Sequence, residues 1–188
     1  MLARLRLPFE VVAPAVDETA LPAEAPRDLA LRLAIAKAQA VARGRSTGLV
    51  IGSDQVAHCN GTVLGKPGTH ANAVAQLCLM RGNITFFDTA LALVNAATGR
   101  VQSDVVRISV LMHALTDAQI ETYLRLEQPY DCAGSARSEG LGIALMAQLT
   151  GDDPTALVGL PLIALMRMLR AEGVDPLRIP QSTQLPAV

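Results

Sequence analysis

The chain has 188 residues, 51% hydrophobic and 18% charged, with a formal net charge of −1 at pH 7; this length suits one domain with a core that needs no covalent staples, and the composition excludes a disordered chain. No apolar stretch approaches the roughly 20 residues that cross a bilayer, so no membrane partner is expected. Near-neutral charge with two Tyr, three Phe and no Trp offers neither a phosphate-tracking surface nor a base-stacking platform, so a nucleic-acid polymer is not an expected partner either.

In chain order, Met1 to Pro8 carries Arg4 and Arg6 but no following apolar run or small-residue cleavage site, so it does not read as a secretory signal. From Arg27 to Arg43, Leu29, Leu33, Ala36, Ala40 and Val41 recur at helical spacing, and Gly44 follows where a C-terminal glycine sits. Leu49 to Gly52 reads as a strand that Val56 to His58 extend to an Asn60-Gly61 turn. His70 to Met80 is helical, with Thr69 as N-cap and Gly82 past its end. Ile84 to Asn95 and Val101 to Met112 read as strands joined through Ala96-Ala97-Thr98-Gly99 into an antiparallel hairpin.

Thr116 and Gln119 form a capping box for a helix to about Leu126. Ala133 to Gly142, rich in Gly and Ser, belongs to turns. Leu162 to Arg170 is a last helix stopped by Gly173, and Asp175 to Val188, with three prolines, reads as a loose tail after a single domain spanning 1–174. Helices and strands intermix without strict βαβ alternation, which predicts an α/β fold on a mixed, twisted sheet flanked by helices. Cys59, Cys78 and Cys132 are odd in number and widely spaced, which suits reduced thiols and a cytoplasmic location. The three histidines are equally scattered, so zinc is not expected.

Several side chains are suited to phosphate chemistry. Asp54 stands just past the Leu49 to Gly52 run, where a carboxylate either binds metal and activates water or simply caps a turn. Asp17-Glu18 is a carboxylate pair that suits a hard cation, although this loop is acidic throughout. Lys37 lies among alanines, and Lys66 stands between Gly65 and Pro67; each reads equally as a surface lysine, while together they would balance a triphosphate. Glu139, in Ser138-Glu139-Gly140-Leu141-Gly142, is placed either to meet a base edge or to serve a turn.

Their order carries more than any one of them. Asp17-Glu18, Leu33-Ala34-Ile35-Ala36-Lys37-Ala38, Gly52-Ser53-Asp54-Gln55-Val56, Gly65-Lys66-Pro67 and Val158-Gly159-Leu160-Pro161 follow one another as in the Maf family, which the chain resembles from about Leu5 to about Gly173. Ser53-Asp54-Gln55, Cys132-Ala133-Gly134-Ser135, Ser138 to Ile143 and Gly151-Asp152-Asp153-Pro154 are most similar to its 7-methyl-GTP branch. The resemblance implies a two-lobed α/β fold similar to inosine-triphosphate pyrophosphatases and hydrolysis between the α and β phosphates with a divalent cation (magnesium, manganese or cobalt).

Carried over by position, the resemblance makes Asp54 the catalytic acid and, with Glu18, a metal ligand. Lys37 and Lys66 become phosphate-binding residues, and Gln55 and Glu139 specificity residues. A carboxylate at 139 would accept from the ring N–H and exocyclic amine of 7-methylguanine, whose methylation leaves the base cationic; a glutamine could not supply that charge. The resemblance leaves open a dTTP or UTP substrate, a non-catalytic nucleotide-sensing role in division arrest, and a homodimer. The family's opening strand and paired arginines have no counterpart before Leu5, so a late start or a truncated, weaker form is expected. At Phe87-Asp88-Thr89, relatives often carry His before the Thr.

Overall fold

Local signals place most of the elements, and a computed structural model describes residues 1–178. The elements are α1 (Pro26–Ala42), β1 (Leu49–Cys59), β2 (Thr62–Leu64), α2 (His70–Met80), β3 (Ile84–Asn95), β4 (Val101–Met112), α3 (Asp117–Glu127), β5 (Met146–Thr150) and α4 (Leu162–Ala171). Pro26 opens α1, where its missing N–H costs nothing. The Thr69 hydroxyl caps α2, and Thr116 with Gln119 closes the expected capping box on α3. Asn60 and Gly61 both take positive φ, 48° and 79°, as the two central residues of a tight hairpin turn between β1 and β2 require. Of the expected tail, Asp175 accepts a hydrogen bond from the Arg170 side chain, and 179–188 lie outside the described residues.

The five strands form one sheet in the order β2-β1-β3-β4-β5. Every pairing among the described residues is antiparallel, which corrects the expected mixed sheet while the α/β class and flanking helices stand. The reason is connectivity: β1–β2 and β3–β4 are hairpins, and no helix carries the chain between parallel neighbours in this sheet. The short edge strands β2 and β5 were not foreseen; three and five largely exposed residues carry too little alternation to signal a strand.

Opposed residues share a face, so register assigns the packing. On one face Val50, Val56, Ala90, Ala92, Val94 and Val105 meet α1 through Leu29, Ala30, Leu33, Ala34 and Ala38. On the other, Leu91 and Leu93 meet α4 through Leu162, Leu165, Met168 and Leu169. Further along that second face, Ala57, Phe87, Ile108 and Val110 pack against α2 and α3. The two ends of the sheet thus carry separate cores, the expected two lobes.

α1 approaches β1 closely because Ala30, Ala34 and Ala38 form a fully buried small-residue stripe and β1 has a glycine beneath it. A Cβ at Gly52 would lie 2.3 Å from the Ala34 carbonyl oxygen and 2.7 Å from the Ala38 nitrogen, both backbone atoms. Gly52→Ala is therefore expected to push α1 outward and cost about 1–3 kcal/mol, read as a lower urea midpoint at unchanged m-value.

Candidate active site

The close seat of α1 puts Lys37 directly over Asp54. The Lys37 ammonium donates to Asp54 Oδ1 at 2.6 Å and pairs with Glu18 Oε1 at 2.6 Å, so one cation holds carboxylates from the N-terminal loop and the central sheet together. Only 14% of the Asp54 side chain is exposed, against 59% of Glu18. Burial pushes the Asp54 carboxyl above its ordinary value, with Lys37 opposing and Glu18 adding to the rise. The hydrogen bond from Lys37 holds Glu18 below its usual range, despite some burial. Burial works against the Lys37 charge, but the two carboxylates outweigh it and raise its pKa. Lys66, in the exposed loop after β2, lies close enough to favour the charged form of both acids.

A clamp that sequence reasoning missed holds the Glu18 loop. Arg32 of α1 grips Glu24 with Nε at 2.7 Å and Nη2 at 2.8 Å, and the same Nη2 donates to the Thr19 carbonyl at 2.9 Å. The Glu24 carboxyl is consequently lowered to about 2 by Arg32 and by the Leu21 N–H. Glu24 lies before the Ala25 N-cap and so outside α1, and no helical spacing betrayed the pair. Asp17 is not part of the cluster: its Oδ1 accepts from the Thr19 N–H at 2.9 Å and closes its own turn.

The neighbours of Asp54 in β1 point to the opposite face. The Ser53 hydroxyl bridges the carbonyl oxygens of Ala90 and Gly159 at 2.7 and 2.8 Å. Gln55 Nε2 donates to Thr89 Oγ1 at 2.8 Å and to the carbonyls of Ala156 and Leu157 at 2.9 and 3.2 Å. The Val158-Gly159-Leu160-Pro161 motif is thereby fastened beneath Asp54, and the structure does not bring Gln55 into the Lys37 cluster. Asp153 completes the fastening, since its carboxylate accepts from the Thr155 and Ile163 N–H groups at 3.1 and 2.7 Å and ties the Pro154–Val158 turn to the start of α4.

Glu139 also stands apart from that cluster, in the loop after α3, where its nearest charge is Arg137 at 3.5 Å. Hydrogen bonds from Gly134 N to Gly65 O and from Gly68 N to Tyr130 O nevertheless join this loop to the one bearing Lys66. Asp88, the departure noted above, is fully buried and is gripped by Arg107 Nε and Nη2 at 2.7 and 2.8 Å, with His58 Nε2 at 3.2 Å. Arg107 holds its carboxyl below the usual range despite the burial. An apolar groove of about 730 Å³ runs along β1 past Leu49, Ile51, Phe9 and Val12, but its charged pair, Arg45 and Glu10, is mutually neutralised and none of the candidate residues lines it.

A protein-family model described as Maf-like protein matches residues 1–172. The chain belongs to the Maf-like family. A 7-methyl-GTP pyrophosphatase of Polaromonas sp. strain JS666 is 61% identical to this Maf-like protein over 174 residues, covering 93% of this chain and 80% of its own. Those of Albidiferax ferrireducens and Thiobacillus denitrificans are 58% and 59% identical, covering 94% and 96% of this chain and 89% and 90% of their own. The fold unites the first three motifs read from the sequence at one ammonium.

The donor set fits a hard divalent cation. The outer oxygens, Glu18 Oε2 and Asp54 Oδ2, have no hydrogen-bond partner among the described residues, and magnesium takes one or two carboxylates, leaving its other positions to phosphate and water. The electrostatics give a test that needs no substrate. Lys37→Met removes the one strong influence that lowers the Asp54 pKa and leaves burial and Glu18, which raise it. Asp54 is expected to titrate at higher pH in the variant, read from its carboxyl carbon shift by NMR. A folded pKa above the unfolded one contributes stability below the unfolded value that is lost as pH rises through the folded one. The variant's stability should accordingly decline with pH over a window that extends further upward.

Proposed function

We propose that this Maf-like protein hydrolyses 7-methyl-GTP to 7-methyl-GMP and pyrophosphate. The observation that carries the reading is the convergence of Asp54, Glu18 and Lys37, with Lys66 close by, in a chain 61% identical to a 7-methyl-GTP pyrophosphatase. As Lys37 turns to the phosphates, the Asp54 Oδ1 atom that it held orients a water and takes its proton, leaving Oδ2 for a cation, and the raised pKa brings this carboxylate closer to the working range of a general base. The water oxygen forms a bond to the α-phosphorus, and the bond from that phosphorus to the oxygen bridging to the β-phosphorus breaks. The departing pyrophosphate takes that electron pair, and Lys37 and Lys66 offset the charge that grows on it.

A divalent cation held by Glu18 and Asp54 would supply further charge neutralisation at the phosphates. In the resting protein Lys37 occupies the centre of this site, so its ammonium keeps two carboxylates from repelling each other until phosphate arrives. Glu139 contributes selectivity: half-exposed on its loop, it offers a negative acceptor to the donor edge of a cationic base. Gln55 acts through its hydrogen bonds to Ala156 and Leu157, which hold the turn beneath Asp54.

Ion chromatography on 7-methyl-GTP is expected to show pyrophosphate as product, and release of orthophosphate alone would exclude the assignment. Asp54→Asn should lower kcat by about 10²–10⁴ without loss of fold, the usual contribution of a positioned base. Glu139→Gln should lower the ratio of kcat/KM for 7-methyl-GTP over GTP by about 10- to 100-fold, roughly 1.4 to 2.8 kcal/mol of differential transition-state binding. Parallel kinetics on GTP, UTP and dTTP check both the ratio and the assigned base.

A further inference from the structure

One arginine in the loop that carries Glu139 is shared between two unlike carboxylates. Arg137 Nη1 lies 3.5 Å from Glu127 Oε1, and its Nε lies 3.5 Å from Glu139 Oε1, both longer than a close ion pair. Glu127, at the end of α3, is firmly placed: Oε2 accepts from the Leu141 N–H at 2.9 Å, and a Cβ at Gly140 would fall 2.4 Å from Oε1. Glu139 is free by comparison, with 47% of its side chain exposed and one further contact, at 3.4 Å, from the Ser138 hydroxyl.

The loop's backbone is fixed on both sides of this pair. The Tyr123 hydroxyl donates to the Ser135 carbonyl and accepts from the Arg137 N–H, each at 3.1 Å, and Glu127 holds Leu141. The Arg137 and Glu139 side chains can therefore re-pair without refolding the loop. Two carboxylates and one guanidinium leave the trio one negative charge in excess, which a base bearing one fixed positive charge neutralises and a neutral base does not.

We propose that Arg137 is a specificity-determining residue: it occupies the place beside Glu139 that a cationic base would take, and Glu127 takes it over when such a base arrives. The proposal rests on the reading of 7-methyl-GTP as substrate. Arg137 repels a positively charged base and leaves a neutral one unaffected, so its charge works against the cationic substrate. Glu127 works for that substrate by drawing Arg137 away. The two residues set the selectivity of Glu139 in opposite directions, although both are parts of one loop support.

The test compares kcat/KM for 7-methyl-GTP and GTP in the wild type, Arg137→Gln and Glu127→Gln, with thermal melting as a control of folding. A glutamine at 127 keeps an acceptor for Leu141 and the shape beside Gly140, so it removes the charge alone. Arg137→Gln is expected to raise the 7-methyl-GTP over GTP ratio two- to fivefold and Glu127→Gln to lower it by a similar factor, about the range an exposed ion pair supports, with the change residing in KM. A merely structural role would move both substrates together and both variants in the same direction. Ratios that stay put, or that shift the same way in both variants, overturn the proposal while leaving 7-methyl-GTP as substrate. A wild type with no preference for 7-methyl-GTP overturns the substrate assignment and the proposal with it.

Discussion

The contact on which the site depends is the near-touching of α1 and β1. Leucines at the buried alanine positions of α1, or a side chain at 52, would push the helix away from the sheet and draw Lys37 back from Asp54. Small-residue packing of this sort contributes little hydrophobic area. Its product is position: an ammonium placed 2.6 Å from each of two carboxylates that belong to different parts of the chain. The charge then reinforces the packing, since the cation that holds Glu18 and Asp54 together also fastens the N-terminal loop to the sheet.

Asp54 is held from below as firmly as from above. Strand alternation sends Ser53 and Gln55 to the face opposite Asp54, where both bind carbonyl groups of the segment from Ala156 to Gly159. Those carbonyls would otherwise be costly to leave without partners beside a buried core. The same hydrogen bonds keep β1 from sliding or twisting under its carboxylate. The motif Gly52 to Val56 is thus a sandwich in which alternate residues serve packing against α1, charge, and anchoring.

A second buried carboxylate is neutralised locally. Asp88 sits in the sheet with Arg107 and His58, on the face that bears Asp54 but beyond α1. Its charge goes to holding the strands together, whereas Lys37 and Lys66 act on the candidate catalytic acid. At the other lobe, the trio of Glu127, Arg137 and Glu139 keeps its partners at longer range. A site that must exchange an internal cation for a ligand's needs such loose pairing, whereas a structural ion pair such as Asp88 with Arg107 does not.

The sequence by itself determined the helices, the long strands, the two caps and the hairpin turn, because each rests on signals within about ten residues: apolar period, a capping hydroxyl, Asn-Gly. It also singled out Glu18, Lys37, Asp54, Gln55, Lys66 and Glu139 as candidates, because their residue types in that order resemble the family's motifs. Strand direction and the short edge strands β2 and β5 were decided only by tertiary pairing, since three to five exposed residues acquire a strand's conformation from their neighbours. Nor did spacing reveal that Asp54 and Gln55, adjacent in the chain, serve opposite faces, that Arg32 clamps the loop behind Glu18, or that Arg137 lies between two carboxylates. Those contacts join residues that are distant in the chain or separated by a turn, and an ion pair across such a gap leaves no periodic trace in the amino-acid order.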